Sequence, residues 1–336
     1  MNVFVIEDPK IAIVFCVTTM LGWGSWANTQ KLAGKDNWPF PLYYWDFTIG
    51  IFVFSLALAA TLGSSGSTGM HAIDNLLQAD PGHLARAMWS GMLFNVANIF
   101  LVVAIDHAGM SVVFPVGVGL ALVIGTFASY WQAPKGNPLL LFSGVLLVLT
   151  AMALSAMAYR KLPRVSIHGW AQGLVFAGLA GCLMGFFYPQ LFQTLSPEFH
   201  FKPIQAGRLT PYVALTFFAV GVVSSNVIVS TMLMKLRRLT YKEYLTAGLR
   251  LHSLGLLGGI LWMLALSCNL VASGVAGPAI SYALGQGATL VAAIWGVFIW
   301  REFRSAPAGT TTLLAFMFFS YTAGLALIGM ATFSSS

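Results

Sequence analysis

Residues 109–131, GMSVVFPVGVGLALVIGTFASYW, decide the fold, because residues 274–300, GVAGPAISYALGQGATLVAAIWGVFIW, repeat their plan. In each stretch a proline precedes a G-x-G motif, and an apolar run then ends in aromatic residues. Gly117 and Gly285, the first glycines of the two motifs, lie 168 positions apart, which is half of the 336 residues. Each stretch is long enough to cross a bilayer, and its small residues let another backbone approach closely. The repetition predicts a duplicated membrane domain in which these two helices are equivalent and face a shared centre.

The composition is that of a membrane protein. Hydrophobic residues make up 58% of the chain, charged residues make up 8%, and the mean hydropathy is +0.80. We therefore expect an all-α, polytopic membrane protein, because this leaves too little polar surface for a soluble globule. Ten apolar segments are long enough to span about 30 Å of hydrocarbon. They lie near residues 11–31, 42–62, 86–106, 111–131, 138–159, 170–194, 211–234, 244–269, 278–300 and 310–332.

The net charge of +7 is concentrated on one side of the predicted membrane. Eleven lysines and arginines fall in the links after segments one, five, seven and nine, and five fall on the opposite side. Because cytoplasmic loops carry the excess of basic residues, both termini are predicted outside and residues 160–168 in the cytoplasm. The basicity therefore requires no nucleic-acid partner. Cys16, Cys182 and Cys268 lie in apolar segments without metal-binding spacing, and we expect no metal and no cofactor.

The first segment carries a polar and aromatic cluster in its cytoplasmic half. Trp23, Trp26 and Gln30 share one helical face, and Asn28 lies beside it. One interpretation is an interfacial aromatic belt with hydrogen bonds between helices. The other is an aromatic platform whose amides bind a polar solute, since amides facing lipid would be costly.

Segment three places two amides near the middle of the membrane. Asn95 and Asn98 are three residues apart and share a helical face. Hydrogen bonds between membrane helices are worth only about 0.6 kcal/mol on average, which is a weak reason to accept the cost of inserting two amides. We therefore favour cavity lining over structural bonding for this pair.

Segments six and nine carry similar groups in the second half of the chain. Tyr188 and Gln190 flank a helix-kinking proline, and Tyr282 and Gln286 are four residues apart on the face of the glycines. These four residues join Trp23, Trp26 and the amides of segments one and three as candidate substrate contacts. Glu302, in the charged end of segment nine, is expected to pair with its sequence neighbours.

Three charged residues are candidates for gating or coupling. Asp46, at the start of segment two, is either an interfacial charge near Lys31 or Lys35 or a protonatable gate residue. Asp106 closes segment three beside a histidine, as a solvated helix end or as part of a proton relay. Arg250 lies about six residues inside segment eight, where it either snorkels to the interface or acts as a functional charge.

Segments five and ten are apolar all round, which divides the chain into two five-helix repeats. The first comprises residues 1–162, a short cytoplasmic linker comprises residues 163–168, and the second repeat comprises residues 169–336. An odd number of helices per repeat forces opposite orientations, as in transporters whose site lies near the bilayer midplane. The fifth and tenth segments are also candidates for a homodimer interface.

Three stretches carry a resemblance to a known family: GWGSWANTQ (22–30), FNVANIFLVVAIDHAGMSVVFPVGVGLALVIGT (94–126) and AISYALGQGATLVAAIWGVFIWREFR (279–304). In them the chain resembles the drug/metabolite transporter superfamily, and within it the ureide permeases and the neighbouring bacterial glucose/ribose porters. The resemblance implies ten helices in two inverted repeats, with a central cavity opened alternately by rocking the two halves. Gly117, Gly119, Gly285 and Gly287 would then lie where the helical hairpins slide.

These features favour a secondary transporter that takes up a small, uncharged, polar metabolite by alternating access. Amides and aromatic faces suit a monosaccharide or a purine-derived nucleobase or ureide, whereas a phosphate or carboxylate would be poorly compensated. Proton coupling through Asp46 or Asp106 and facilitated diffusion both stay open, and an exporter of amphipathic compounds is the alternative. An enzyme is disfavoured, because no His-rich, paired-Asp or Ser-His arrangement appears among the helices. The expected location is a bacterial inner membrane.

Overall fold

The computed structural model describes most of the chain. Within the described residues the chain is all-helical, and its extended pairings are two isolated bridges rather than a sheet. The described ranges are 3–66, 69–109, 113–162, 169–199 and 203–334, so the linker 163–168 lies outside them.

Fourteen α-helices and two π-helical turns make up the described fold. The π-helical turns are Phe114–Val118 and Trp295–Ile299. The α-helices are α1 Pro9–Ser25, α2 Ala27–Lys35, α3 Phe40–Ala60, α4 Ala72–Gln78, α5 Pro81–Ala108, α6 Gly119–Gln132, α7 Pro138–Tyr159, α8 Trp170–Phe192, α9 Pro211–Leu236, α10 Tyr241–Leu245, α11 Leu249–Ala276, α12 Pro278–Gly285, α13 Ala288–Ile294 and α14 Thr310–Ala331.

Nine helices of the described residues are long and apolar enough to cross a membrane, with α1 and α2 joined as Pro9–Lys35. A further apolar helix, Val116–Gln132, is shorter. It belongs to the stretch 109–131, in which residues 110–112 lie outside the described ranges and a π-helical turn precedes α6. The chain is therefore a multi-pass membrane protein, with nine long spans and one shorter apolar helix where the sequence predicts ten full segments.

Proline begins five of the spanning helices. All five begin at the same end of the bundle when α6 is counted with the nine long spans, since consecutive spans alternate in direction. Proline suits this position, since the first turn leaves its backbone N–H groups unbonded in any case. We call this end the proline end, and we call the opposite end, where Lys31 and Lys35 lie, the basic end. The five residues are Pro9, Pro81, Pro138, Pro211 and Pro278.

The fifth and tenth segments, α7 and α14, pack against each other within the chain. A Cβ atom on Gly144 would lie 2.6 Å from the carbonyl oxygen of Gly324, and one on Gly324 would lie 2.8 Å from that of Gly144. The two backbones therefore touch where neither residue has a side chain. The sequence makes these two helices candidates for a homodimer interface, but the faces that carry Gly144 and Gly324 pack against each other within one chain.

Helices α5 and α11 match each other in length and ending. Each has 28 residues, and their first residues, Pro81 and Leu249, lie 168 positions apart, like the two G-x-G motifs. Each ends at a glycine with positive φ, Gly109 at 74° and Gly277 at 89°. A left-handed backbone favours glycine, so these residues allow the sharp turn into the helix that follows.

An aromatic core joins α5, α8, α9 and α11 in the middle of the bundle. Phe94 contacts Trp262 with ring centroids 4.1 Å apart, and Phe218 stacks on Trp262 at 5.9 Å. Phe187 meets the edge of Phe94 at 5.5 Å. Offset and edge contacts of this kind are favoured by aromatic rings, and the core forms a rigid floor across the bundle.

Candidate functional site

A cavity of about 580 Å³ lies at the centre of the helix bundle. Its wall is formed by residues of α1, α2, α3, α5, α6, α7, α8, α11, α13 and α14, together with the two π-helical turns. The volume falls in the range of small-molecule binding sites, which are mostly apolar with a few placed polar groups. The lining has this character, because aromatic and aliphatic side chains dominate it.

The cavity ends at the aromatic core and extends toward the basic end. Phe94, Phe187 and Trp262 line its floor. Beyond the floor, toward the proline end, Tyr188 and Tyr282 pack with ring centroids 5.0 Å apart, and neither lines the cavity. The structure therefore has a cavity in its basic half and a packed proline half.

Two amides face the cavity with their polar atoms free. Gln30 of α2 and Gln286, between α12 and α13, both line it, and neither side chain hydrogen-bonds any described residue. Asn98 is half engaged, since its Nδ2 donates to the hydroxyl of Tyr44 at 3.0 Å. The carbonyl oxygen of Asn98 is left for a solute. These groups supply both donors and acceptors to a bound molecule.

Two indoles of the first segment build one wall of the cavity. Trp23 stacks on Trp262 at 5.9 Å and donates its Nε1 to the carbonyl oxygen of Trp262 at 3.3 Å. Trp26 packs on Phe47 at 4.9 Å. Both line the cavity, so the helical face deduced from the sequence is an aromatic wall rather than a lipid-facing belt.

Asn28 lines the cavity but is engaged at both ends of its amide. Its Oδ1 accepts from Trp300 Nε1 at 2.6 Å, and its Nδ2 donates to the carbonyl oxygen of Ser25 at 2.9 Å. The Ser25 hydroxyl in turn accepts from Trp295 Nε1 at 2.9 Å. The bond to Trp300 ties α2 to the end of the second π-helical turn, which gives Asn28 a positioning part in the wall.

Four of the other candidate residues lie outside the cavity. Asn95 donates to the Ser225 hydroxyl of α9 at 2.9 Å, although it is only three residues from Asn98. The 60° between the two positions lets α5 turn one amide to α9 and the other to the cavity. Tyr188, Gln190 and Tyr282 belong to the proline half, where the two tyrosines are fully buried and Gln190 is half-buried.

Asp46 forms a buried cluster with His252 and Tyr244. The carboxylate is 3% exposed, and His252 Nδ1 lies 3.0 Å from both of its oxygens. The Tyr244 hydroxyl donates to Oδ1 at 2.7 Å, and burial together with the nearby carboxylate raises the pKa of Tyr244. The sequence suggests Lys31 or Lys35 as the neighbour of Asp46, but the partner is a histidine of α11.

The other charged candidates lie apart from this cluster. Arg250 is 72% exposed and pairs with Asp36 at 3.3 Å, so it is an interfacial charge. The side chain of Asp106 lies outside the described residues. Among the residues that the structure covers, no group of three His, Cys, Asp or Glu side chains forms a metal site.

A charged cluster surrounds the mouth of the cavity. Glu302 accepts from Lys31 at 2.5 Å and from the Tyr159 hydroxyl at 2.8 Å, so its partners come from α2 and α7 rather than from its sequence neighbours. Lys31 and Lys35 lie 4.3 and 4.6 Å from the centroid of the Trp300 ring, within cation-π range. Arg301 has φ of 53°, which turns the chain so that Glu302 points back to the mouth.

The glycines of the two motifs are contact points between helices. Gly117 lines the cavity, and a Cβ atom on Gly181 of α8 would lie 2.5 Å from its carbonyl oxygen. A Cβ atom on Gly285 would lie 2.8 Å from the Trp23 ring. Gly119 and Gly287 likewise face the side chains of neighbouring helices. Each position is close-packed in this conformation.

Known proteins resemble this chain in sequence and in fold. The sequence profile of the ureide permeases matches residues 164–332, half of the chain. The chain belongs to the ureide permease family. Two members of this family from Arabidopsis thaliana are similar to it. Ureide permease 1 is 20% identical, with 97% of this chain and 98% of the relative aligned, and Ureide permease 2 is 25% identical over 47% and 41%.

The named relatives are permeases, so this family member is a membrane transport protein rather than an enzyme. The fold also has a counterpart among solved structures. One crystal structure superposes with a TM-score of 0.60 at 17% identity, covering 94% of this chain and 95% of the other. At that identity the likeness concerns the fold alone.

Proposed function

We propose that the protein is a secondary transporter for a ureide or a closely related uncharged nitrogen heterocycle, taken up by alternating access. The observation that carries the proposal is the set of unengaged amide groups on the cavity wall, Gln30, Gln286 and the carbonyl of Asn98. A ureide presents several N–H donors and carbonyl acceptors in one small molecule. Side-chain amides offer the complementary acceptor and donor pair.

The aromatic wall and the position of the charges support the same class of solute. Trp23 and Trp262 offer ring faces to a flat heterocycle. The charged residues of the lining, Lys31, Arg237 and Glu302, lie at the mouth, and Lys31 and Glu302 neutralise each other. A phosphate or carboxylate at the floor would lie away from the two basic side chains of the described lining, which are at the mouth. A monosaccharide would make less use of flat rings.

The packing supports an architecture of ten helices in two inverted repeats, residues 1–162 and 169–336. The third span α5 packs on the sixth span α8, and the eighth span α11 packs on the first span α1. The seventh span packs on the third as the eighth packs on the second, and the fifth packs on the tenth. Exchanging the two halves leaves this pattern of neighbours unchanged, which is expected of repeats related by a two-fold axis in the membrane.

The distribution of charge gives the orientation. The basic residues Lys31, Lys35 and Arg237 lie at the end where the cavity has its mouth. The positive-inside tendency then makes the cavity inward-facing and puts both termini outside the cytoplasm of a bacterial cell. A homodimer would use the lipid-facing sides of α7 and α14, which expose Leu146 and Phe319.

Proton coupling is assigned to the cluster of Asp46, His252 and Tyr244. A carboxylate buried in a membrane helix, paired with a partly exposed imidazole of another, is costly unless it serves a function. Imidazole is the side chain that ordinarily changes charge between pH 5 and 8. A proton added to His252 would make its contact with Asp46 an ion pair and strengthen the link between α3 and α11, and release of that proton would weaken it. These two helices belong to different proposed repeats.

Thermal unfolding of the detergent-purified protein tests the solute class. The panel contains allantoin, nucleobases, nucleosides, monosaccharides and cationic drugs. A ligand at about 100 times its dissociation constant stabilises the fold by about 2.7 kcal/mol, which gives a measurable rise in Tm. We expect the rise with allantoin. A rise with the cationic drugs and with no ureide or nucleobase would contradict the proposal and support an exporter.

A further inference from the structure

The proline half of the bundle buries a group of polar atoms that have no hydrogen-bond partner among the described residues. They belong to α6, α8, α11 and α12, all on the side of the aromatic core away from the cavity, and none lines the cavity. The six atoms are Thr126 Oγ1, Ser129 Oγ, Gln132 Oε1, Tyr188 OH, Asn269 Oδ1 and Ser281 Oγ.

The helices that carry these atoms meet around the contact between Tyr188 and Tyr282. Asn269 donates its Nδ2 to the carbonyl oxygen of Ser281 at 2.7 Å, which leaves its own carbonyl oxygen unpaired. The Tyr188 hydroxyl lies beside Ser273, and the Ser281 hydroxyl lies beside Cys16, but neither makes a hydrogen bond of ordinary geometry. The group thus spans the interface of several helices instead of lying on one.

The third side of the group is formed by α6. The Tyr282 ring lies on Gly125, where a Cβ atom would be 2.3 Å from Cε1, and Thr126 is the next residue. Ser129 follows Gly125 by one helical turn and shares its face. The hydroxyl of Tyr282 is bonded weakly, at 3.3 Å to the carbonyl oxygen of Ala121. The ring therefore closes the space between α6 and α12.

Burying so many unpaired polar atoms in one place destabilises the conformation that buries them. Alanine or valine would fill the same positions without that cost, and α7 and α14 show that this chain can pack helices through glycines and apolar side chains. The polar atoms are therefore explained by a second conformation, in which they are exposed. The contacts at the proline end are of a kind that can break, such as the bond from Lys135 Nζ to the carbonyl oxygen of Gly274 at 3.0 Å.

We propose that this group lines the outward-facing half of the solute route and forms a second binding site for the solute. The site opens when the Tyr282 ring leaves Gly125. Two of its six atoms, Asn269 Oδ1 and Gln132 Oε1, are pure acceptors, and the hydroxyls also accept. The site therefore suits a solute rich in N–H donors, which is the chemistry of a ureide. The choice of solute rests on the proposed function, whereas the outward opening does not.

The test is cysteine accessibility in a background with Cys16, Cys182 and Cys268 replaced by alanine. Ser281→Cys reports on the group. Ser55→Cys is the matched control, because Ser55 is also fully buried in the proline half but its hydroxyl donates to the carbonyl oxygen of Phe52 at 2.7 Å. Ser65→Cys, at an exposed position of the proline end, marks the side from which a membrane-impermeant maleimide must act.

Two further variants shift the balance between conformations. Gly125→Ala places a methyl group against the Tyr282 ring, and Lys135→Ala removes the bond to Gly274. Size-exclusion chromatography shows whether Gly125→Ala folds, and Lys135→Ala replaces it in the test if it does not. We expect Ser281→Cys to react at least about tenfold faster than Ser55→Cys from the side that labels Ser65→Cys. Either variant should increase the rate at Ser281→Cys and leave that at Ser55→Cys unchanged.

The possible outcomes distinguish a failure of the outward-facing site from a failure of the ureide assignment. Equal labelling of Ser281→Cys and Ser55→Cys in all backgrounds, or labelling from the opposite side alone, would overturn the outward-facing site. Saturating allantoin should slow the reaction at Ser281→Cys. If the labelling pattern is as expected but allantoin leaves it unchanged while a cationic drug slows it, the outward route stands and the ureide assignment is overturned.

Discussion

Asn98 donates its side-chain amide to the buried hydroxyl of Tyr44 at 3.0 Å, and this bond holds the Asn98 carbonyl on the cavity wall. The pair joins α5 to α3. A free asparagine side chain samples several rotamers, whereas this one is fixed before a solute arrives. Affinity gained by such preorganisation is sensitive to loss of the supporting partner as well as of the contact itself.

Asn98→Ala should therefore weaken solute binding, and Tyr44→Phe should weaken it less. The first removes an acceptor worth about 0.5–1.5 kcal/mol, which corresponds to roughly a two- to thirteenfold rise in KM. The second leaves the acceptor but frees its orientation. Proteoliposome uptake kinetics measure both. An unchanged KM in Asn98→Ala, with lost thermal stability instead, would assign Asn98 to structural bonding.

Gln286→Ala should raise KM for the solute by a similar factor without lowering Tm. Its amide makes no side-chain hydrogen bond within the described chain, so the folded protein loses nothing by the change. Gln190→Ala is the matched control, because Gln190 is a half-buried amide outside the cavity. Equal effects of the two substitutions on KM would contradict the placement of the site.

Asp46→Asn and His252→Gln should each remove the pH dependence of uptake while leaving a slow, pH-independent transport. The cluster lies near the starts of α3 and α11, at the basic end. If it binds the coupled proton, uptake by the unchanged protein falls as the pH on the cytoplasmic side falls from about 8 to 5, because release of the proton to that side is then disfavoured. Arg250→Gln is the control, since the Arg250–Asp36 pair lies at the surface. A parallel pH profile in Asp46→Asn and the unchanged protein would exclude the cluster from coupling.

Asn28→Ala should lower stability rather than affinity. The substitution leaves the Trp300 indole N–H without its acceptor, which costs about 1–3 kcal/mol where the group is buried. The expected result is a reduced Tm with KM changed less than twofold. A large rise in KM at unchanged Tm would instead make Asn28 a direct contact of the solute.

Much of the fold follows from local patterns. The hydrophobic segments and the prolines at the helix starts are visible in short windows of sequence. The duplication is visible as a repeated motif, with Gly117 and Gly285 168 positions apart. The face shared by Trp23, Trp26 and Gln30 also lines the cavity, because helical periodicity alone puts these side chains together.

The rest depended on contacts between distant parts of the chain. Asp46 and His252 are 206 positions apart, and no periodicity pairs them, although two ionisable residues near the same end of two membrane segments were a usable signal. Asn95 and Asn98 lie on roughly the same face of α5. The 60° between their directions around the helix axis is nevertheless enough for Asn95 to contact α9 and Asn98 to contact α3. Tyr188 and Tyr282 are buried because the proline half is closed in this conformation.

Uptake of radiolabelled allantoin into proteoliposomes tests the central claim most directly. The account predicts saturable uptake by the unchanged protein, competition by other ureides or nucleobases but not by cationic drugs, and a raised KM in Gln286→Ala but not in Gln190→Ala. Allantoin uptake no faster than in empty liposomes, with active transport of a cationic drug by the same preparation, would contradict it.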